Sequence, residues 1–142
     1  QVYGPKQDIN RFLPITIKGC IKNQKFPCSE GNQLRDFTYV DDIATGTVAA
    51  IKPLGYEIIN LGSDRPIVLN DAIKVIEQTV GKNSKVQYGS KHPADVAETW
   101  ANIDKAKRLL GWRPSTTFEE GIEQAVKWYQ KNRTWVRGIG TE

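Results

Sequence analysis

The stretch from Gly31 to Ile43, Gly-Asn-Gln-Leu-Arg-Asp-Phe-Thr-Tyr-Val-Asp-Asp-Ile, constrains this chain most, because it reads as a strand running straight into a helix. Gly31 and Asn32 supply turn chemistry, Leu34, Phe37, Tyr39 and Val40 read as strand, and Asp41 or Asp42 can cap the helix that Ile43 begins. The junction carries one cation, Arg35. Its rigid fork of donors matches phosphate or carboxylate, so at the mouth of a cleft it would clamp an anionic ligand. The competing role is an ion pair with Asp36 or Asp41 at a solvated edge.

The elements on either side follow from periodicity and punctuation. From Arg11 the apolar residues Phe12, Ile15, Ile17, Cys20 and Ile21 predict a buried helix with Asn10 as cap, in which Pro14 is early enough to be tolerated. Phe26–Cys28 and Leu34–Val40 flank a Ser29–Gln33 turn and predict a hairpin. Its second arm feeds a helix from about Asp42 to Ile51, where Gly46 signals close packing against a neighbour. Tyr56–Leu61 reads as a short strand, Ile67–Val68 as a brief one, and Leu69, Ala72, Ile73, Ile76 and Val80 form one face of a helix stopped by Gly81. Lys85–Tyr88 reads as a strand, and the residues from Gly89 to Val96 as a loop. Asn102 caps a helix through Leu110 that Gly111 ends, with Pro114 beyond it. Thr117-Phe-Glu-Glu120 is a capping box, and Phe118, Ile122, Ala125, Val126 and Tyr129 continue as a long apolar stripe. These patterns predict an α/β unit of short strands and about five helices, with residues 1–133 as the domain and 134–142 as a loose tail whose Trp135 can fold back onto the body.

Composition narrows the function classes. The chain has 142 residues, room for one core, with 39% hydrophobic and 25% charged residues and no apolar run of membrane-spanning length. The opening Gln-Val-Tyr-Gly-Pro lacks an initiator Met and reads as the interior of a longer polypeptide; no secretory signal is visible in these residues. A net charge of +4 raises nucleic acid as a partner, but the Lys and Arg residues are not clustered, and a mild basic bias suits small anions equally well. Cys20 and Cys28 lack a second pair and His92 is the single histidine, so no metal set is expected; the cysteines read as reduced structural thiols in a cytoplasmic protein. There is no GxGxxG, P-loop or nucleophile elbow. His92 stands in a loop where it can donate to an anion, and Asp95, three residues on, has a carboxylate suited to sugar hydroxyls.

Six motifs then occur in order: Tyr3-Gly-Pro5 before a helix, Arg35-Asp-Phe-Thr-Tyr-Val-Asp-Asp-Ile43, Ile59-Asn-Leu-Gly62, Pro93-Ala-Asp95, Leu109-Leu-Gly-Trp-Arg-Pro114 and Thr117-Phe-Glu-Glu-Gly-Ile122. In this register, from Val2 to about Asn132, the chain resembles the C-terminal, substrate-binding part of an extended short-chain dehydrogenase/reductase. The group is that of the NAD-dependent epimerases and dehydratases, with nucleotide-sugar 4-epimerases of the UDP-glucose and UDP-glucuronate type most similar. The resemblance implies that Arg35 contacts the nucleotide diphosphate, Gln33 makes a polar contact to the nucleotide, and Asp95 accepts from ribose hydroxyls. It implies further that Tyr3 lines the boundary between NAD and sugar. Several epimerases carry a second phosphate-binding arginine before the Pro-x-Asp element; here His92, preceded by Lys91, stands in that place. The family's glycine-rich NAD loop and Tyr-x-x-x-Lys pair are not found in these residues. The resemblance therefore implies a part that anchors UDP-sugar, is inactive alone, and works with a missing N-terminal nucleotide-binding domain, with a homodimer possible. A dehydratase or decarboxylase of the same family, or a non-catalytic anion- or protein-binding module, are the alternatives; neither nucleic acid nor membrane is expected as a partner.

Overall fold

Residues 1–91, 93 and 95–132 are described by the computed structural model. The most sharply specified element is its last helix, α5 (Phe118–Lys131), in which the Thr117 side chain accepts from the Glu120 backbone while the Glu120 carboxylate takes the Thr117 N–H at 2.8 Å. Every residue of the predicted stripe, Phe118, Ile122, Ala125, Val126 and Tyr129, is buried. Four further helices precede it: α1 (Phe12–Lys22), α2 (Val40–Ala49), α3 (Leu69–Val80) and α4 (Asp104–Leu110). Gly81 and Gly111 end α3 and α4 in the left-handed conformation, at φ 73° and 65°.

Helices α1, α3 and α5 pack on one another, and their apolar faces meet Tyr3, Phe37 and Tyr39 in the main core. Tyr3 is central, edge-on to Phe37 and Tyr39 and tilted against Phe118, with its hydroxyl donating to the Phe118 carbonyl at 3.2 Å. Such contacts need a bare backbone at Gly121, where a Cβ would fall 2.0 Å from the Tyr3 hydroxyl oxygen. A second cluster joins Phe26, Cys28 and Ile73, and a third, Ile103, Ala106 and Trp112, lies where α2 meets α4. There the close approach expected of Gly46 is real: a Cβ would stand 2.8 Å from Leu61 and 3.0 Å from Trp112. Both cysteines are free and buried, and burial pushes the Cys20 thiol up to about 11.

The strands are short and their partners distant. β1 (Val2–Tyr3) runs parallel to β4 (Thr38–Tyr39), and β2 (Lys25–Cys28) is parallel to β6 (Lys85–Tyr88). β3 (Leu34–Arg35) is central in a three-stranded sheet, antiparallel to β5 (Ile67–Val68) and parallel to β7 (Glu98–Thr99).

This arrangement corrects several expectations. The hairpin does not form, because the intervening turn gives its carbonyls to a helix: the Leu69 and Asn70 N–H groups at the start of α3 donate to Gln33 O and Gly31 O at 3.0 and 2.9 Å. The Leu34–Val40 strand is split in two, and α2 begins at Val40 rather than Asp42. Asn10 does not cap α1, whose entry is instead an Asp8 turn that receives the Asn10 N–H. Tyr56–Leu61 pairs with no strand among the described residues; Ile59 and Leu61 pack on the third cluster while Tyr56 and Ile58 face solvent. β7 falls just beyond the expected loop, and Asn102 is not the N-cap of α4: that position is Ile103, and Asn102, two residues before the helix, receives the Asp104 N–H. The boundary expected at residue 133, and Trp135, lie outside the described residues.

Candidate functional site

Arg35 ends a central strand whose backbone is fixed on both sides. Leu34 N–H donates to Ala97 O at 2.9 Å and Asp36 N–H to Thr99 O at 3.0 Å, while β5 holds the opposite edge. The guanidinium folds back along this frame, with one terminal nitrogen donating to Leu34 O at 2.8 Å and the other to Asp95 Oδ1 at 3.2 Å. Its ion-pair partner is therefore Asp95, not Asp36 or Asp41. The side chains are 13% and 32% exposed, so the pair lies at a surface yet is sheltered enough to hold one geometry.

Gln33 joins the same cluster. The side chain is 2% exposed; its amide nitrogen donates to Ser29 Oγ at 2.9 Å and lies 3.5 Å from Asp95 Oδ2, which also receives the Ser29 hydroxyl at 3.2 Å. Gln33 Oε1 is buried without a hydrogen-bond partner among the described residues. A buried acceptor left this way costs roughly 1–3 kcal/mol, a cost that a donor on a bound molecule would remove. The loop that presents these groups is clamped by the start of α3, and the Tyr88 hydroxyl at the end of β6 holds Asn70 Oδ1 at 2.9 Å.

Of the residues singled out in the sequence, Gln33, Arg35 and Asp95 come together. Tyr3 does not join them: it lies in the aromatic core, where burial raises its hydroxyl well above the usual range. His92 lies outside the described residues. Ser29 was not singled out, since a serine in a turn carries no signal beyond turn formation.

Two of the three aspartates in the Arg35–Ile43 motif hold the frame. Asp36, 3% exposed, accepts from the Ser63 N–H at 2.7 Å and the Ala101 N–H at 3.0 Å, joining the loops beyond α2 and β7 to the central strand. Asp42 is not a cap; α2 has no side-chain cap. It accepts instead from Ser115 N–H and Oγ at 2.9 Å and from Thr116 N–H at 3.1 Å, fixing the entry to α5.

The model of the GDP-mannose 4,6 dehydratase family matches residues 2–125. A UDP-glucuronate 4-epimerase of Thermodesulfobacterium geofontis is 50% identical over 97% of this chain and 43% of its own length. Among solved structures, the UDP-glucose 4-epimerase of Thermotoga maritima with UDP-glucose superposes with a TM-score of 0.89, at 27% identity, over 94% of this chain and 44% of that one. The UDP-glucuronic acid 4-epimerase of Bacillus cereus, in complex with UDP-glucuronic acid and NAD, gives 0.87 at 31% identity, over 92% and 43%. The chain belongs to this family of extended short-chain dehydrogenases/reductases and corresponds to the C-terminal portion of its members, spanning less than half their length.

Proposed function

We propose that this chain is the nucleotide-sugar anchor of an NAD-dependent sugar 4-epimerase acting on a UDP-sugar, with the diphosphate held by Arg35. The observation that carries the reading is the convergence of Gln33, just before β3, and Arg35, at its end, with Asp95 from the segment before β7, the Gln33 acceptor being buried and unpartnered among the described residues. Arg35 supplies charge and a fixed donor plane to phosphate oxygens, Asp95 accepts from ribose hydroxyls, and Gln33 Oε1 takes a donor of the nucleotide. His92 is assigned to the same anion by sequence position. Anchoring at the nucleotide end leaves the sugar to be presented to the reacting groups, and fixed placement is itself a large share of such catalysis.

NAD is assigned mainly to polypeptide outside these residues; Tyr3, the residue here placed at its boundary by motif, is 2% exposed and donates its hydroxyl to the Phe118 carbonyl. The chain alone is accordingly expected to be inactive. Apolar surface supports a docked partner domain: Val40, Ala44 and Val48 recur at helical spacing on the exposed side of α2, and beyond its end Ile51 and Tyr56 are 81% and 90% exposed. Without that domain the strip should drive self-association. Gel filtration at high concentration is expected to show dimers or larger species, and a clean monomer would contradict this. We assign residues 1–133 to this anchoring unit and the whole to the cytoplasm; no helix among the described residues is long and apolar enough to cross a membrane.

Addition of UDP to the isotopically labelled chain tests the anchor. It should move the Gln33 side-chain amide resonances ahead of those of the distant core, and perturbation confined to other surfaces would overturn the reading. A dehydratase would use the same anchor, and relatives include dTDP-glucose 4,6-dehydratases. Sugar that has lost water, rather than inverted C4, after incubation with the full-length protein would favour it.

A further inference from the structure

Ser29 occupies the one position in the cluster through which both of its acidic and amide members are linked. Its hydroxyl accepts from Gln33 Nε2 at 2.9 Å and donates to Asp95 Oδ2 at 3.2 Å, whereas the direct Gln33–Asp95 approach, 3.5 Å, is at the limit of a hydrogen bond. A serine hydroxyl has one proton, so accepting from the amide directs that proton to the carboxylate. The two Asp95 oxygens are then engaged on different sides, Oδ2 by Ser29 and Oδ1 by Arg35 at 3.2 Å. That fixes the rotation of the carboxylate, and with it the plane in which the guanidinium is held.

We infer that Ser29 is a positioning residue, setting the orientation of Arg35 through Asp95 without touching the ligand. The inference rests on the reading of this cluster as the diphosphate anchor, but its structural half stands without any ligand. A hydrogen bond to a charged group is worth about a tenfold change in an equilibrium. Ser29→Ala should therefore weaken UDP binding about tenfold, Ser29→Thr should restore it, and the alanine effect should shrink to within about twofold in an Asp95→Asn background.

The test is calorimetric UDP titration of the wild type, Ser29→Ala, Ser29→Thr, Asp95→Asn and Ser29→Ala/Asp95→Asn proteins, each also examined by NMR without nucleotide. In the nucleotide-free spectra, Ser29→Ala should shift the Gln33 amide and the Arg35 Nε–H resonances, and Ser29→Thr should leave both near their wild-type positions. Unmoved Arg35 and Gln33 resonances in Ser29→Ala would overturn the inference, as would an equal loss of affinity with and without Asp95. Failure of the wild type to bind UDP, with the Ser29-dependent shifts present, would instead remove the anchor reading and leave the positioning role intact.

Discussion

Replacing Asp42 with alanine is expected to cost about 3 kcal/mol of stability, against less than about 1 kcal/mol for the same change at Asp41. The two are adjacent and chemically identical, but Asp42 is 3% exposed and Asp41 exposed. Asp42 receives three hydrogen bonds from Ser115 and Thr116, and its loss strands two backbone donors at the entry to α5. Bonds to a carboxylate are worth roughly 1.5–3 kcal/mol each, and relaxation of the loop toward water keeps the total below their sum. Urea unfolding checks this: the midpoint should fall with the slope unchanged. The same carboxyl makes stability depend on acid. Burial raises its pKa, but the bonds from Ser115 and Thr116 outweigh that and hold it below the ordinary value of 3.8. Its contribution is thus present above that value and lost as pH falls through the lower, folded one. Asp42→Asn should flatten the loss of stability over that acid range; an acid limb as steep as the wild type's would contradict this.

The second large effect is on binding. Arg35→Ala is expected to weaken UDP binding on the order of 100-fold, because the variant removes the charged partner of the diphosphate and releases Asp95 from its ion pair. Arg35→Lys should recover only part, since an ammonium keeps the charge but not the fork. Uridine, which has no phosphate, should bind both variants as it binds the wild type, and a parallel loss for uridine would mean that the substitution had damaged the loop.

Local elements were legible in the sequence and long-range pairing was not. The capping box at Thr117, the stripe of α5 and the glycine stops of α3 and α4 are encoded within a few residues of where they act, and each is found in place. A two-residue strand such as β3 or β7 has too few positions to show alternation, and β2 finds its partner only after five intervening elements. The same holds for the aspartates: Asp42 reads locally as a cap because its partners at Ser115 and Thr116 are more than seventy positions away. The cluster was legible in part. Arg35, Gln33 and Asp95 carry chemistry that can be named from their motifs, and the structure adds what the motifs omit, the ion pair between two of them and the serine that links the third. Gly46 shows that a propensity conflict in sequence can point correctly to packing, since its helix is crossed there by Leu61 and Trp112.

The central claim is that the diphosphate anchor is preformed in this chain. Calorimetric titration with UDP, UDP-glucose and UDP-glucuronate, repeated on Arg35→Ala, tests it most directly. Binding of all three by the wild type that disappears in the variant is the predicted result; binding that the variant retains unchanged, or none by the wild type, would contradict it.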